Sequence, residues 1–195
     1  VNVGDSISNF FIIGDIEWFP KDIAKTSLKN NFYKQDWSAA WINTLEQEVG
    51  YFSVSDDVGD IKKKKWVVIS KSVQGISPFF IKKNIEKGKI ILIENPSESF
   101  MSYFGVVIAD KDKKCKKISS GILKGMPLNC RFDVVLCGDF ECIMEIDGNP
   151  AIISKKIGNG RIILILFEFS LQIVSLQQGV PESDYSVKHK YGLIG

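Results

Sequence analysis

The chain has 195 residues, 45% of them hydrophobic and 25% charged, which is enough apolar material for one ordinary core and too much for a disordered chain. Lys and Arg number 25 against 23 Asp and Glu, and a net charge of +2 advertises neither a nucleic-acid surface nor a membrane surface. Four cysteines (Cys115, Cys130, Cys137 and Cys142) without C-x-x-C spacing exclude a zinc knuckle, are too few for a disulfide scaffold, and stand in a chain with no apolar run long enough to span a bilayer.

Phe10 to Asp15 is a short apolar run closed by Gly14 and an acid, the pattern of a strand covered on both faces. Asp36 then caps an expected helix in which Trp41, Leu45 and Val49 recur every four residues beside Ile42, with Gly50 as its stop. Tyr51 to Ser55 alternates as a second strand, and Asp56, Asp57 and Gly59 end it in a polar loop rather than a catalytic acid pair. Lys62 to Lys65 reads as a solvated charge run. Trp66 to Ser70 is a third strand, and Ser77-Pro78 supplies the cap and first-turn proline of a helix carrying Phe80, Ile81 and Ile85 to Gly88. Lys89 to Glu94 is the fourth strand, and strands alternating with helices at this spacing predict a parallel sheet.

After Lys111 to Lys117, expected as a second solvated loop, helical periodicity disappears. Asp133 to Cys137, Glu141 to Ile146, Ala151 to Lys156 and Arg161 to Phe167 read as strands, the last three joined by the turns Asp147-Gly148-Asn149-Pro150 and Gly158-Asn159-Gly160. The final strand is apolar on both faces and is expected to rejoin the central sheet, with a helix following from Ser170 to Gln178. Cys137 and Cys142 flank a turn, placed either to pair or simply to be buried.

The stretches Asp147-Gly148-Asn149-Pro150-Ala151 and Gly158-Asn159-Gly160-Arg161-Ile162-Ile163-Leu164, followed by Glu168, resemble the closing portion of class I glutamine amidotransferase-like domains of the non-catalytic kind. Gly88-Lys89-Ile90-Ile91-Leu92-Ile93-Glu94 is similar to that family's glycine-led core strand, and Phe104-Gly105-Val106 to a frequent step after it. Leu176 to Asp184 resembles the exit from such a domain in proteins where a polysaccharide deacetylase domain follows. The resemblance implies a flavodoxin-like three-layer α/β sandwich, with a mostly parallel central sheet and an antiparallel β-meander in its C-terminal half. It also implies a domain over 1–179 and an exit linker or tail over 180–195. The partners implied are a downstream catalytic domain of the same protein and a polysaccharide, with no cofactor or nucleic acid. A bacterial cell surface or secreted location follows from the same source. The chain opens on Val1 and ends at Gly195 without an element-closing signal, so it is expected to be part of something longer.

An active glutaminase of this kind needs a cysteine thiolate on a tight strand-to-helix turn, a histidine base and an orienting acid. That turn falls at Glu94-Asn95-Pro96-Ser97-Glu98-Ser99, which has no cysteine, and the single histidine is His189 in the tail. A deacetylase metal centre would need two histidines. Neither catalytic residues nor metal ligands are therefore assigned. The loop after the first strand, Gly14 to Pro20, carries two acids that would repel a phosphate, which argues against nucleotide binding. Aromatics are absent from both lysine runs, which argues against single-stranded nucleic acid. A ligand site is expected where the loops after strands one and four meet, with Asp15, Glu17, Trp18, Glu94, Asn95 and Ser97 as candidates. Trp18 and Phe19 read first as loop anchors packed on the core, and Ser97 as a helix cap. The alternative is a degenerate hydrolase using Glu94 and Ser97.

Overall fold

Short runs of Ile, Val and Phe satisfy their backbone groups by pairing side by side, and their branched side chains fill the space between the sheet and its covering elements. The computed structural model describes residues 10–13, 41, 52–55, 57–71, 73, 75–121, 124–125, 127–170 and 172. In chain order its elements are β1 (Phe10–Ile13), β2 (Ser53–Ser55), a 3₁₀ helix (Val58–Lys63), β3 (Trp66–Ile69), α1 (Pro78–Glu86), β4 (Ile90–Glu94) and α2 (Glu98–Tyr103). Then come β5 (Val107–Lys117), β6 (Pro127–Leu136), β7 (Glu141–Ile146), β8 (Asn149–Ile157) and β9 (Gly160–Ile165).

Seven strands form one mixed sheet in the order β2-β1-β3-β4-β9-β8-β7. The pairs from β2 to β9 are parallel, with Ile12 beside Val68, Val68 beside Leu92 and Leu92 beside Ile163. β9-β8 and β8-β7 are antiparallel, so the expected meander is present and its last strand does return to the central sheet. β5 and β6 make a separate two-stranded ribbon tied to the main body by bridges from Ile118 to Ile146 and from Phe132 to Phe167. Ile61, Ile69, Ile81, Ile85, Ile91, Ile93, Ile146, Ile153, Ile162 and Leu164 are fully buried and form the centre of the core.

The first three strands and α1 lie where the sequence places them, the Ser77 hydroxyl accepting from Phe80 N–H as the expected cap. Two lysine runs are solvated as expected but are not plain loops. Lys62 and Lys63 close a 3₁₀ helix that Ile61 anchors in the core, and the Lys89 ammonium donates to the carbonyls of Lys62 and Lys64. Lys111 to Lys117 is strand rather than loop. Water faces β5 at nearly every position, so its sequence shows no apolar alternation, and pairing with β6 supplies the backbone partners. The expected helix over 36–50 lies outside the described residues except for Trp41, and that over 170–178 except for Ser170 and Gln172, all three helical. Cys137 and Cys142 carry free thiols rather than a disulfide.

Both turns that carry the family resemblance have a structural reason. Asp147 and Gly148 have φ of 47° and 76°, as a two-residue type I′ hairpin requires. The Asp147 carboxylate also accepts from Lys116 N–H at 2.8 Å, clipping this turn to the ribbon. The Gly158-Asn159-Gly160 turn is pressed against the end of α1. A Cβ on Gly160 would lie 2.2 Å from the carbonyl oxygens of both Ile85 and Lys89. The repeated glycine therefore permits backbone-on-backbone packing.

Gly160→Ala is expected to cost about 3 kcal/mol or more, because rigid backbone must move, whereas Gly148→Ala, with open space around it, should cost about 1 kcal/mol from φ alone. Urea unfolding of both variants measures the difference. Partial desolvation, with the charges of Glu145 and Cys137, pushes the Cys142 thiol above its ordinary range. Iodoacetamide should therefore label Cys142 more slowly at pH 8 than an unstructured cysteine peptide, and the rate should keep rising as pH climbs past the usual thiol range.

Candidate functional site

The carboxyl ends of parallel strands point their loops to one edge of the sheet, where α/β proteins place ligands. At that edge a cavity of about 360 Å³ lies between the loops that follow β3 and β4. Ile76, Ile93 and Phe100 give it apolar walls, and Ser70, Lys71, Asn95 and Ser97 bring polar groups to it. Among the sequence candidates, Glu94, Asn95 and Ser97 line this cavity. Asp15, Glu17 and Trp18 lie outside the described residues.

Glu94 closes β4 and is 1% exposed, a carboxylate in the core of the molecule. One of its oxygens accepts from the Ser170 N–H at 2.7 Å and the Ser170 hydroxyl at 2.6 Å. The other accepts from the Trp41 indole N–H at 2.7 Å and from Lys71 N–H at 3.4 Å. A carboxylate offers about four lone-pair sites, and these four donors occupy them. Burial of a charge at this depth is tolerable only with such partners. Glu94 therefore has no free lone pair with which to take a proton from a substrate.

Lys71 sits at the same edge, half-buried and ion-paired with Glu168. Burial pulls its ammonium below the ordinary lysine value, and the Glu94 charge opposes that shift in part. Asn95 follows Glu94 in the left-handed region at φ 45°, a conformation asparagine tolerates better than most residues. Its N–H donates to Ile165 O at 2.7 Å, fixing the turn against β9. Ser97 is the N-cap of α2: its hydroxyl accepts from Phe100 N–H at 3.3 Å and lies 3.1 Å from the Ser99 hydroxyl. The tight strand-to-helix turn expected at 94–99 is thus built, with an amide at its left-handed position and a capping hydroxyl two residues later.

Lys71, Glu168, Ser170 and Trp41 were not among the sequence candidates. Lys71 had a usable signal, since the loop after β3 opens on the same edge as the loop after β4. The convergence of Trp41 and Ser170 on Glu94 spans 53 and 76 residues of sequence and has no local signature. Among the described residues, no group of three or more His, Cys, Asp or Glu side chains is placed to hold a metal ion, and no helix is long and apolar enough to cross a membrane.

No family model matches the chain, and no curated protein does. Solved structures do share its fold. An exo-β-1,4-mannosidase, Op5Man5, from Opitutaceae bacterium strain TAV5 superposes with a TM-score of 0.66 at 13% identity, over 85% of this chain and 32% of that one. A β-galactosidase from Rahnella sp. R3 gives 0.56 at 13% identity over 90% of this chain and 32% of its own. A β-galactosidase from Bacillus circulans sp. alkalophilus gives 0.56 at 13% identity over 86% and 30%. The chain spans about a third of the length of each of these proteins.

Glu94→Gln should cost about 3 kcal/mol, because its NH₂ group would face donors in a buried site. Trp41→Phe keeps the ring and removes one donor, and should cost about 1–2 kcal/mol. Denaturant unfolding at neutral pH checks both, and a Glu94→Gln variant as stable as the parent would contradict the role assigned to this carboxylate.

Proposed function

We propose that this chain is a non-catalytic, glutamine amidotransferase-like domain that serves as a structural, interaction or glycan-contacting unit of a larger carbohydrate-processing protein, of the deacetylase-like kind that the sequence resemblance implies. The observation that carries this reading is the state of Glu94. The acid at the strand-to-helix turn is spent on four internal donors, and the hydroxyl nearest in sequence, Ser97, is spent on capping α2. A hydrolase at this turn would need both groups facing the cavity and free.

Two further observations support the same reading. The parallel strands run in the order β2-β1-β3-β4-β9, which is the flavodoxin-like order 2-1-3-4-5 with the meander inserted before its fifth strand. This favours a three-layer flavodoxin-like sandwich. The proteins of similar fold are named as glycosidases and are about three times longer, which fits a unit carried within a carbohydrate-active chain. Fold alone does not transmit their activity. The cavity has apolar walls and polar groups at Asn95, Ser97 and the ion-paired Lys71, which supports contact with a hydroxylated ligand rather than covalent chemistry.

Incubated with glutamine or with p-nitrophenyl acetate, the chain should give no turnover above the buffer rate, and Ser97→Ala should change nothing except stability, by about 1 kcal/mol for the lost cap. An esterase or glutaminase rate that Ser97→Ala abolishes would replace this proposal with the degenerate-hydrolase reading.

A further inference from the structure

Given the glycan-contacting role proposed above, on which this rests, we infer that Asn95 is the residue by which the cavity recognises its ligand. The ligand is a single neutral pyranose ring, held through two adjacent hydroxyls. A mismatch between conformation and residue type carries the assignment. Asn95 has φ of 45°. Glycine meets that backbone requirement without strain, whereas asparagine only tolerates it better than other residues that carry a side chain. Asparagine is accounted for at such a position where its amide bonds to neighbouring backbone. Here Asn95 is exposed and lines the cavity, and its side-chain amide has no hydrogen-bond partner among the described residues.

The backbone that carries this amide is held from both sides. Asn95 N–H donates to Ile165 O at 2.7 Å, the buried and fully bonded Glu94 precedes it, and Pro96, with its locked φ, follows. A polar group on backbone this constrained loses little freedom when a ligand binds. A primary amide presents an acceptor oxygen and a donor NH₂ side by side. Two adjacent ring hydroxyls match it, one donating to the oxygen and the other accepting from the nitrogen.

The rest of the cavity fits the same ligand. Ile76, Ile93 and Phe100 offer apolar surface to the C–H face of a ring. The Ser97 and Ser99 hydroxyls, 3.1 Å apart, extend the polar side, and whichever of them donates within the pair, the other keeps its proton. Lys71 carries its counter-charge with it in Glu168, so the cavity presents no unopposed cation to select a carboxylate or a phosphate. A volume of about 360 Å³ stands at the small end of ligand pockets, which run from about 300 to 1,000 Å³. One ring or one chain end suits that space, and a length of polymer does not.

The test titrates the full chain with the methyl glycosides of glucose, galactose, mannose and N-acetylglucosamine, followed by saturation-transfer NMR. At least one glycoside should bind with a millimolar Kd, as a ligand of about 13 heavy atoms allows. Asn95→Gly suits the backbone and removes the amide, so it should keep or raise the Tm while weakening that glycoside about tenfold. Deoxy forms of the same glycoside, each missing one hydroxyl, supply the ligand side of the cycle. Loss of either of two adjacent hydroxyls should weaken binding to the parent and make no further difference to Asn95→Gly. Lys114→Ala, on the exposed face of the ribbon, should bind as the parent does. No binding of any of the glycosides at about 50 mM, far above a millimolar Kd, overturns this inference and leaves the non-catalytic reading standing, as does a loss of less than about threefold in Asn95→Gly. Release of methanol from a bound glycoside overturns the non-catalytic reading, and this inference with it.

Discussion

A carboxylate taken out of water must be repaid in hydrogen bonds, and in this protein that obligation organises the carboxyl edge of the parallel strands. Glu94 draws together the end of β4, the start of the loop after β3, the helical segment at Trp41 and the segment after β9 at Ser170. Each partner ties its own stretch of backbone to the end of β4. Aromatic packing follows the same convergence: the Trp41 ring meets Phe169 at 4.9 Å, and Phe169 meets Phe167 edge-on at 6.1 Å. The cavity beside Glu94 inherits a rigid wall, and the carboxylate that builds the wall is thereby withheld from chemistry.

The opposite edge is governed by shape rather than charge. Gly158 and Gly160 let the β8–β9 turn press its backbone onto the end of α1, where Arg161 N–H donates to Lys89 O at 3.0 Å. This contact sets where β9 enters the sheet, and hence its register beside β4 from Ile90 with Arg161 to Glu94 with Ile165. The glycines at one end of β9 and the carboxylate at the other end of β4 thus hold the same strand pair from both sides. Motifs that resemble a family signature are explained at both ends by packing, with no ligand needed to account for them.

The ribbon shows a different balance. β5 buries only Cys115, whereas β6 sends Phe132 and Val135 into the core, and the ribbon is further tied to the body by the bridges at Ile118 and Phe132 and by the Asp147 carboxylate on Lys116 N–H. Solvated lysines and aspartates keep so exposed a β-surface from pairing with other chains, since charged edge residues oppose strand addition.

Local pattern by itself determined the parallel strands, the Ser77-Pro78 start of α1, the hairpin turn at Asp147-Gly148 and the return of the last strand to the central sheet. Each is written in a few adjacent residues, because apolar period, capping and positive-φ turns are short-range physics. It also brought forward Glu94, Asn95 and Ser97 as one loop at the sheet's carboxyl edge. What it did not contain is what those residues are for. Lys111 to Lys117 carries no strand period because solvent lies over most of β5, so only the partner strand reveals it. Glu94 reads as an available acid until Trp41 and Ser170, far away in the chain, are placed on its oxygens. A lone pair is free or occupied according to what surrounds it in three dimensions, and so tertiary structure alone decided that this carboxylate is a clamp.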